Sequence, residues 1–269
     1  MSFFGNGVAV LSRLSIVDLV PMIALPLFWV VCCLYFCARS AIVGMPRTPR
    51  IDKIAKSPYL PRIIMEFGYW MFTLPIKTLL WLRVTPNMLT IGSLIVTIAA
   101  AVLMGLGQFS LGGWTLFLAF MMDAWDGIIA RETKVSSISG EFLDATVDRY
   151  NDIIGFLGFM FYYRNDPIPL ALVTLSLIGS TLVSYTRAKG EAVGVDPNVG
   201  WMQRHERGVY LGLATNLALP IAYYTERGAA HPQFYIVYAT LALMAITANV
   251  TALWRARVVL EGLRHRGRR

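Results

Sequence analysis

Asp123-Ala124-Trp125-Asp126-Gly127-Ile128-Ile129-Ala130-Arg131, followed at fixed intervals by Gly140, Asp144 and Asp148, decides how the rest of the chain is read. This stretch begins at the end of one apolar segment and finishes inside the next. Asp123 and Asp126 are three residues apart, and Asp144 and Asp148 are four apart, so each pair shares one face of a helix. A short turn joins the two helices, which then run antiparallel and bring both acidic faces to one depth. A charged side chain inside a membrane segment costs about 2.5–3.5 kcal/mol on insertion scales. Four carboxylates gathered there repel one another unless cations hold them. Clustered oxygen donors without His or Cys suit hard ions such as Mg2+ or Mn2+. Four carboxylates from two helices can bridge two such ions about 3.5–4 Å apart. Asp123, Asp126, Asp144 and Asp148 are therefore the candidate metal ligands.

Gly127, Ala130 and Gly140 leave space beside the acids for a flat base to approach the backbone, and Arg131 is placed to meet a phosphate. Small residues also serve close helix packing in membranes. That second reading accounts for the glycines but not for the acids.

The surroundings are apolar throughout. Of 269 residues, 56% are hydrophobic and 15% charged, against about 25% charged in a soluble domain. Stretches long enough to cross a bilayer, about 20 residues, are expected near Val17–Cys37, Thr90–Leu106, Trp114–Ile129, Phe142–Tyr163, Ile168–Tyr185, Val209–Tyr224 and Phe234–Trp254. Tyr59–Leu82 mixes apolar and aromatic residues with Arg62, Glu66, Lys77 and Pro75. It reads as an amphipathic helix on the membrane surface. Met45-Pro46-Arg47-Thr48-Pro49-Arg50 before it is a Pro-rich basic linker.

The net charge of +8 is unevenly distributed. Twenty Lys and Arg residues lie in the loops and tail on one side of these spans. Three (Arg13, Arg164 and Arg227) lie on the other, and Arg149 is within a span. The bias places the richer side in the cytoplasm. This pattern belongs to a membrane face rather than to nucleic-acid binding. Cys32, Cys33 and Cys37 share one apolar segment and read as small buried hydrophobes, not as a zinc or disulfide framework. The first apolar segment is long and lacks a small-residue cleavage site, so a retained helix is expected rather than a signal peptide.

The pattern D-x2-D-G-x2-A-R-x8-G-x3-D-x3-D, met at every fixed position from Asp123 to Asp148, resembles the signature of the CDP-alcohol phosphotransferase family. The likeness extends over the six core spans from Thr85 to about Trp254, and Thr85-Pro86-Asn87 resembles the family's entry to its substrate cleft. The implied fold is an all-α integral membrane protein: a six-helix transmembrane core with an extra N-terminal transmembrane helix and a cytoplasmic interfacial amphipathic helix. The corresponding division is residues 1–44 (N-terminal helix), 45–84 (basic linker and interfacial helix), 85–256 (core) and 257–269 (basic tail).

The resemblance implies transfer of a phosphatidyl or alcohol-phosphate group from a CDP-linked donor to an acceptor hydroxyl, with release of CMP. It makes Asp123, Asp126 and Asp144 metal ligands, and Asp148 a ligand and the general base. It frames the CDP moiety with Asp123, Gly127, Ala130, Arg131 and Gly140, with Pro86 at the cleft entry. A homodimer is implied by the family alone.

The acceptor is read from a second cluster. Arg187 and Lys189 end the fifth span, Arg204 and Arg207 open the sixth, and Lys134 lies in the turn after Arg131. Arg recognises phosphate through a two-pronged contact, so the group suits a phosphorylated alcohol. Ordinary positive-inside charge is the competing explanation. Ser184-Tyr185-Thr186-Arg187-Ala188-Lys189-Gly190-Glu191 and Gln203-Arg204-His205-Glu206-Arg207 resemble the phosphatidylinositol-phosphate synthase branch, as does Arg149 after Asp148. Lys189, Gly190 and Gln203 depart from that branch's pattern. The implied reaction joins CDP-diacylglycerol to inositol phosphate; glycerol phosphate and free inositol are the alternative acceptors. A cation or proton transporter is the alternative of another class, since intramembrane acids also mark ion paths.

Overall fold

The structure, a computed structural model, describes residues 16–45, 62–135, 137–201, 204–226, 229 and 231–266. The described residues form eight α-helices and no strand: α1 Ile16–Val43, α2 Arg62–Trp81, α3 Pro86–Gly105, α4 Phe109–Glu132, α5 Ile138–Tyr162, α6 Pro167–Ala192, α7 Arg204–Thr225 and α8 Tyr235–Arg266. The seven expected spans and the interfacial helix each correspond to one of them. The Pro-rich linker lies outside the described residues from position 46 onward.

Length and hydropathy alone qualify four helices to cross a membrane: the Pro26–Val43 part of α1, α3, α6 and α8. The chain is an integral membrane protein. The helices α4, α5 and α7, of 24, 25 and 22 residues, are long enough as well. Aspartates in α4 and α5, and Asn216, Pro220 and several tyrosines in α7, dilute their apolar character.

Local chemistry fixes the helix starts that matter. Thr85 caps α3 by accepting from the Met88 N–H, with Pro86 in the first turn where its missing N–H costs nothing. Ser137 caps α5 by accepting from the Gly140 N–H at 3.0 Å. Both caps stand beside the acidic stretch, so α3 and α5 begin next to the end of α4. Gly158 permits α5 to approach α3 closely, since a Cβ there would stand 2.8 Å from the Ala101 Cα.

The core packs α3 through α8 around a plug of aromatic rings at the end remote from the acids. Phe109 meets Phe234 at 4.5 Å between centroids and Tyr162 at 4.8 Å. Phe159 and Tyr163 are fully buried beside them, and the Tyr163 hydroxyl donates to the Gln233 carbonyl at 2.7 Å. On the flank, α2 is held on two sides. Phe36 of α1 packs against Phe67 and Trp70, and Ile76 joins Leu89 and Ile129 of the core. Glu66, one of the charges that marks α2 as amphipathic in sequence, is 1% exposed. The basic tail expected from 257 is helical to Arg266, whose guanidinium caps the end of α6 at the Val193 and Gly194 carbonyls.

Candidate metal and substrate site

The ends of α4 and α5 bring three of the four aspartates together. One carboxylate oxygen each from Asp123, Asp144 and Asp148 lies within 4.8 Å of the others. All three residues are half-buried. Hard divalent ions fit such a donor set, because three carboxylates converge with no His or Cys in the group among the described residues. Asp126 is placed differently. It is 5% exposed and accepts a hydrogen bond from the Thr90 hydroxyl of α3 at 2.6 Å. It faces a cleft of about 180 Å³ shared with Asp144. The fourth expected ligand thus borders the cluster from the cleft side.

That cleft contains most of the expected nucleotide frame. Pro86, Gly127, Ala130, Arg131 and Gly140 all line it, while Asp123 stands in the carboxylate cluster. A Cβ on Gly127 would meet the Arg131 guanidinium at 3.3 Å, and one on Gly140 would meet the Ser137 hydroxyl at 3.1 Å. The glycines therefore keep space for an arginine and for a helix cap. Asn87, from the expected cleft entry, also lines it, as do Thr90 and Ser137, which are absent from the sequence-based set.

The basic residues separate into two groups. Arg207 is 3% exposed and donates to the Asp152 carboxylate at 3.4 Å. It lines a small cavity of about 40 Å³ with Asp123, Asn151 and Asp152. Arg149 lies 3.6 Å from the same Asp152 oxygen. Arg187 forms an exposed ion pair with Glu191 at 2.9 Å, and Lys189 is exposed near it; neither lines the cleft or the cavity. Lys134 is exposed in the α4–α5 turn, with a left-handed φ of 56°. Arg204 opens α7, and its side chain lies outside the described residues.

Asp152 is the functional candidate that the sequence reading missed. Its signal was present, because Asp144, Asp148 and Asp152 recur every four residues on one face. Asn151, which donates to Ser93 at 3.0 Å, ties the same part of α5 to α3.

A sequence model of the CDP-alcohol phosphatidyltransferase family matches residues 83–259. An archaetidylinositol phosphate synthase from Pyrococcus horikoshii is 35% identical over 140 residues, covering 52% of this chain and 73% of that protein. A phosphatidylinositol phosphate synthase from Mycobacterium tuberculosis is 31% identical over 160 residues, covering 57% of this chain and 71% of its own. The crystal structure of the Mycobacterium tuberculosis synthase with CDP-DAG bound superposes with a TM-score of 0.60 at 25% identity, over 70% of this chain and 92% of that one.

Proposed function

The chain belongs to the CDP-alcohol phosphatidyltransferase family, and from that premise we propose that it transfers the phosphatidyl group of CDP-diacylglycerol to a hydroxyl of inositol phosphate, releasing CMP. The observation that carries this reading is one continuous arrangement. A cleft bordered by Pro86, Gly127, Ala130, Arg131 and Gly140 runs to Asp126 and Asp144, next to the clustered oxygens of Asp123, Asp144 and Asp148.

In this reading Arg131 pairs with the diphosphate, and the small residues receive the cytidine. Asp123, Asp126, Asp144 and Asp148 hold two divalent ions, Mg2+ or Mn2+. When bound, these ions neutralise the diphosphate and stabilise the departing CMP. The acceptor oxygen attacks the lipid-linked phosphorus, the bond to the CMP phosphate breaks, and Asp148 takes the hydroxyl proton. Arg207, held by Asp152, binds the acceptor's phosphate, with Lys134, Arg187, Lys189 and Arg204 drawing the anion toward the site. The site opens to the cytoplasm, as the basic loops support, and the protein works as a homodimer.

The test is an acceptor panel with purified protein, CDP-diacylglycerol and Mg2+ or Mn2+, read as CMP release. Inositol phosphate is expected to accelerate release most, and chelation to stop it until metal is restored. Equal or faster release with glycerol phosphate or free inositol overturns the acceptor assignment.

A further inference from the structure

A second recess, of about 900 Å³, lies between α4 and the two helices that precede the family region, α1 and α2. Leu111, Trp114, Leu118, Met121 and Trp125 give it one wall. Their three- and four-residue spacing makes a single stripe on α4, about 21 Å long at 1.5 Å per residue. Trp29 of α1 touches Phe67 of α2 and Phe117 of α4, at 5.9 and 5.6 Å between ring centroids. The extra helix therefore braces the recess open instead of filling it. Two cations, Arg39 of α1 and Lys77 of α2, line the same space.

An apolar recess stays dry, and one left empty forfeits dispersion contacts along its whole lining. Within a bilayer the apolar material at hand is acyl chain. The paired cations select the headgroup, because guanidinium and ammonium groups both bind phosphate.

The recess is also separate from the nucleotide cleft. Successive residues on a helix turn by about 100°, so Gly127, Ala130 and Arg131 face away from the Leu118–Trp125 stripe. Ile76 of α2 clusters with Leu89 of α3 and Ile129 of α4, and Leu79, Leu80, Met122 and Ile128 pack against that cluster.

We propose that this recess holds an anionic phospholipid as a resident ligand, distinct from the donor lipid. Its chains lie along the α4 stripe and its phosphate meets Arg39 and Lys77, so that it fastens α1 and α2 to the core.

The experiment uses the full chain, stripped of lipid and offered phosphatidylglycerol or phosphatidylcholine, with the retained lipid measured by native mass spectrometry. Preferential retention of one phosphatidylglycerol is expected. The double variant Arg39→Ala/Lys77→Ala should bind it about 30-fold more weakly, with phosphatidylcholine retention and the KM for CDP-diacylglycerol unchanged. Leu118→Trp fills the stripe with every charge in place and should also lose the lipid, which keeps the test decisive if the double variant misfolds. Equal retention of both lipids by the native chain, or retention unaffected by either set of substitutions, overturns the proposal. So does displacement of phosphatidylglycerol by CDP-diacylglycerol, with a matching rise in KM in the variants. The binding readout needs no turnover, so it stands apart from the identity of the acceptor.

Discussion

Thr90 shows how a neutral side chain can set the chemistry of an acid. Its hydroxyl reaches from α3 to Asp126 at 2.6 Å, fixing a carboxylate that borders both the cleft and the metal cluster. Thr90→Val keeps the shape and removes the donor. Activity at limiting metal is expected to fall about 10- to 100-fold, as for other groups that orient metal ligands, with part of the loss recovered at high metal. Asp144→Asn removes a ligand outright and should cost at least that much at any metal concentration, while the protein still inserts. Near-normal turnover of Asp144→Asn at saturating metal would refute the assignment. The convergence of Asp123, Asp144 and Asp148 was legible because their spacing is helical and their cost inside a membrane demands compensation. Thr90 was not, because a hydroxyl in an apolar helix ordinarily satisfies itself on its own backbone, and Thr90 does reach the Pro86 carbonyl at 3.1 Å.

Among the elements, α5 carries the most varied duties. It presents Asp144, Asp148 and Asp152 from its start to just past its middle, and its far end joins the aromatic plug with Phe159 and Tyr162. Removing the plug should therefore be felt as stability rather than chemistry. Phe159→Ala empties a fully buried position and is expected to cost about 3–5 kcal/mol. The measurement is a lowered thermal transition with metal-dependent activity retained below it. A helix stands at each of the seven expected spans, since long apolar runs leave few alternatives, but the helix ends were not readable. The span expected to stop near Trp254 continues as helix to Arg266. Exposed charge there marks water rather than disorder, and an Arg257–Glu261 pair at 2.7 Å supports the added turns. In α2, Glu66 was among the charges that suggested a surface position, whereas the packed structure buries it. Contacts made by residues far apart in the chain leave no periodic trace.

For the molecule as a whole, the asymmetry of basic residues predicts which face meets the cytoplasm. A reporter fused after Arg269 is expected to be active only on that side, and one inserted near Arg164 only on the other; the reverse pattern would invert the orientation. The acceptor was the least legible feature. Among the basic candidates whose side chains are described, Arg207 is the one buried against an acid next to the cluster, and a list of arginines does not distinguish it from Arg187, which pairs with a neighbour in its own helix. The rings of Phe109, Phe159, Tyr163 and Phe234 have a further consequence, because they stopper the bundle at its far end. A water-soluble reactant that reaches the aspartates must retreat through the mouth by which it came. The plugged end offers such a reactant no way out, so CMP leaves on the aspartate side before the next polar guest settles.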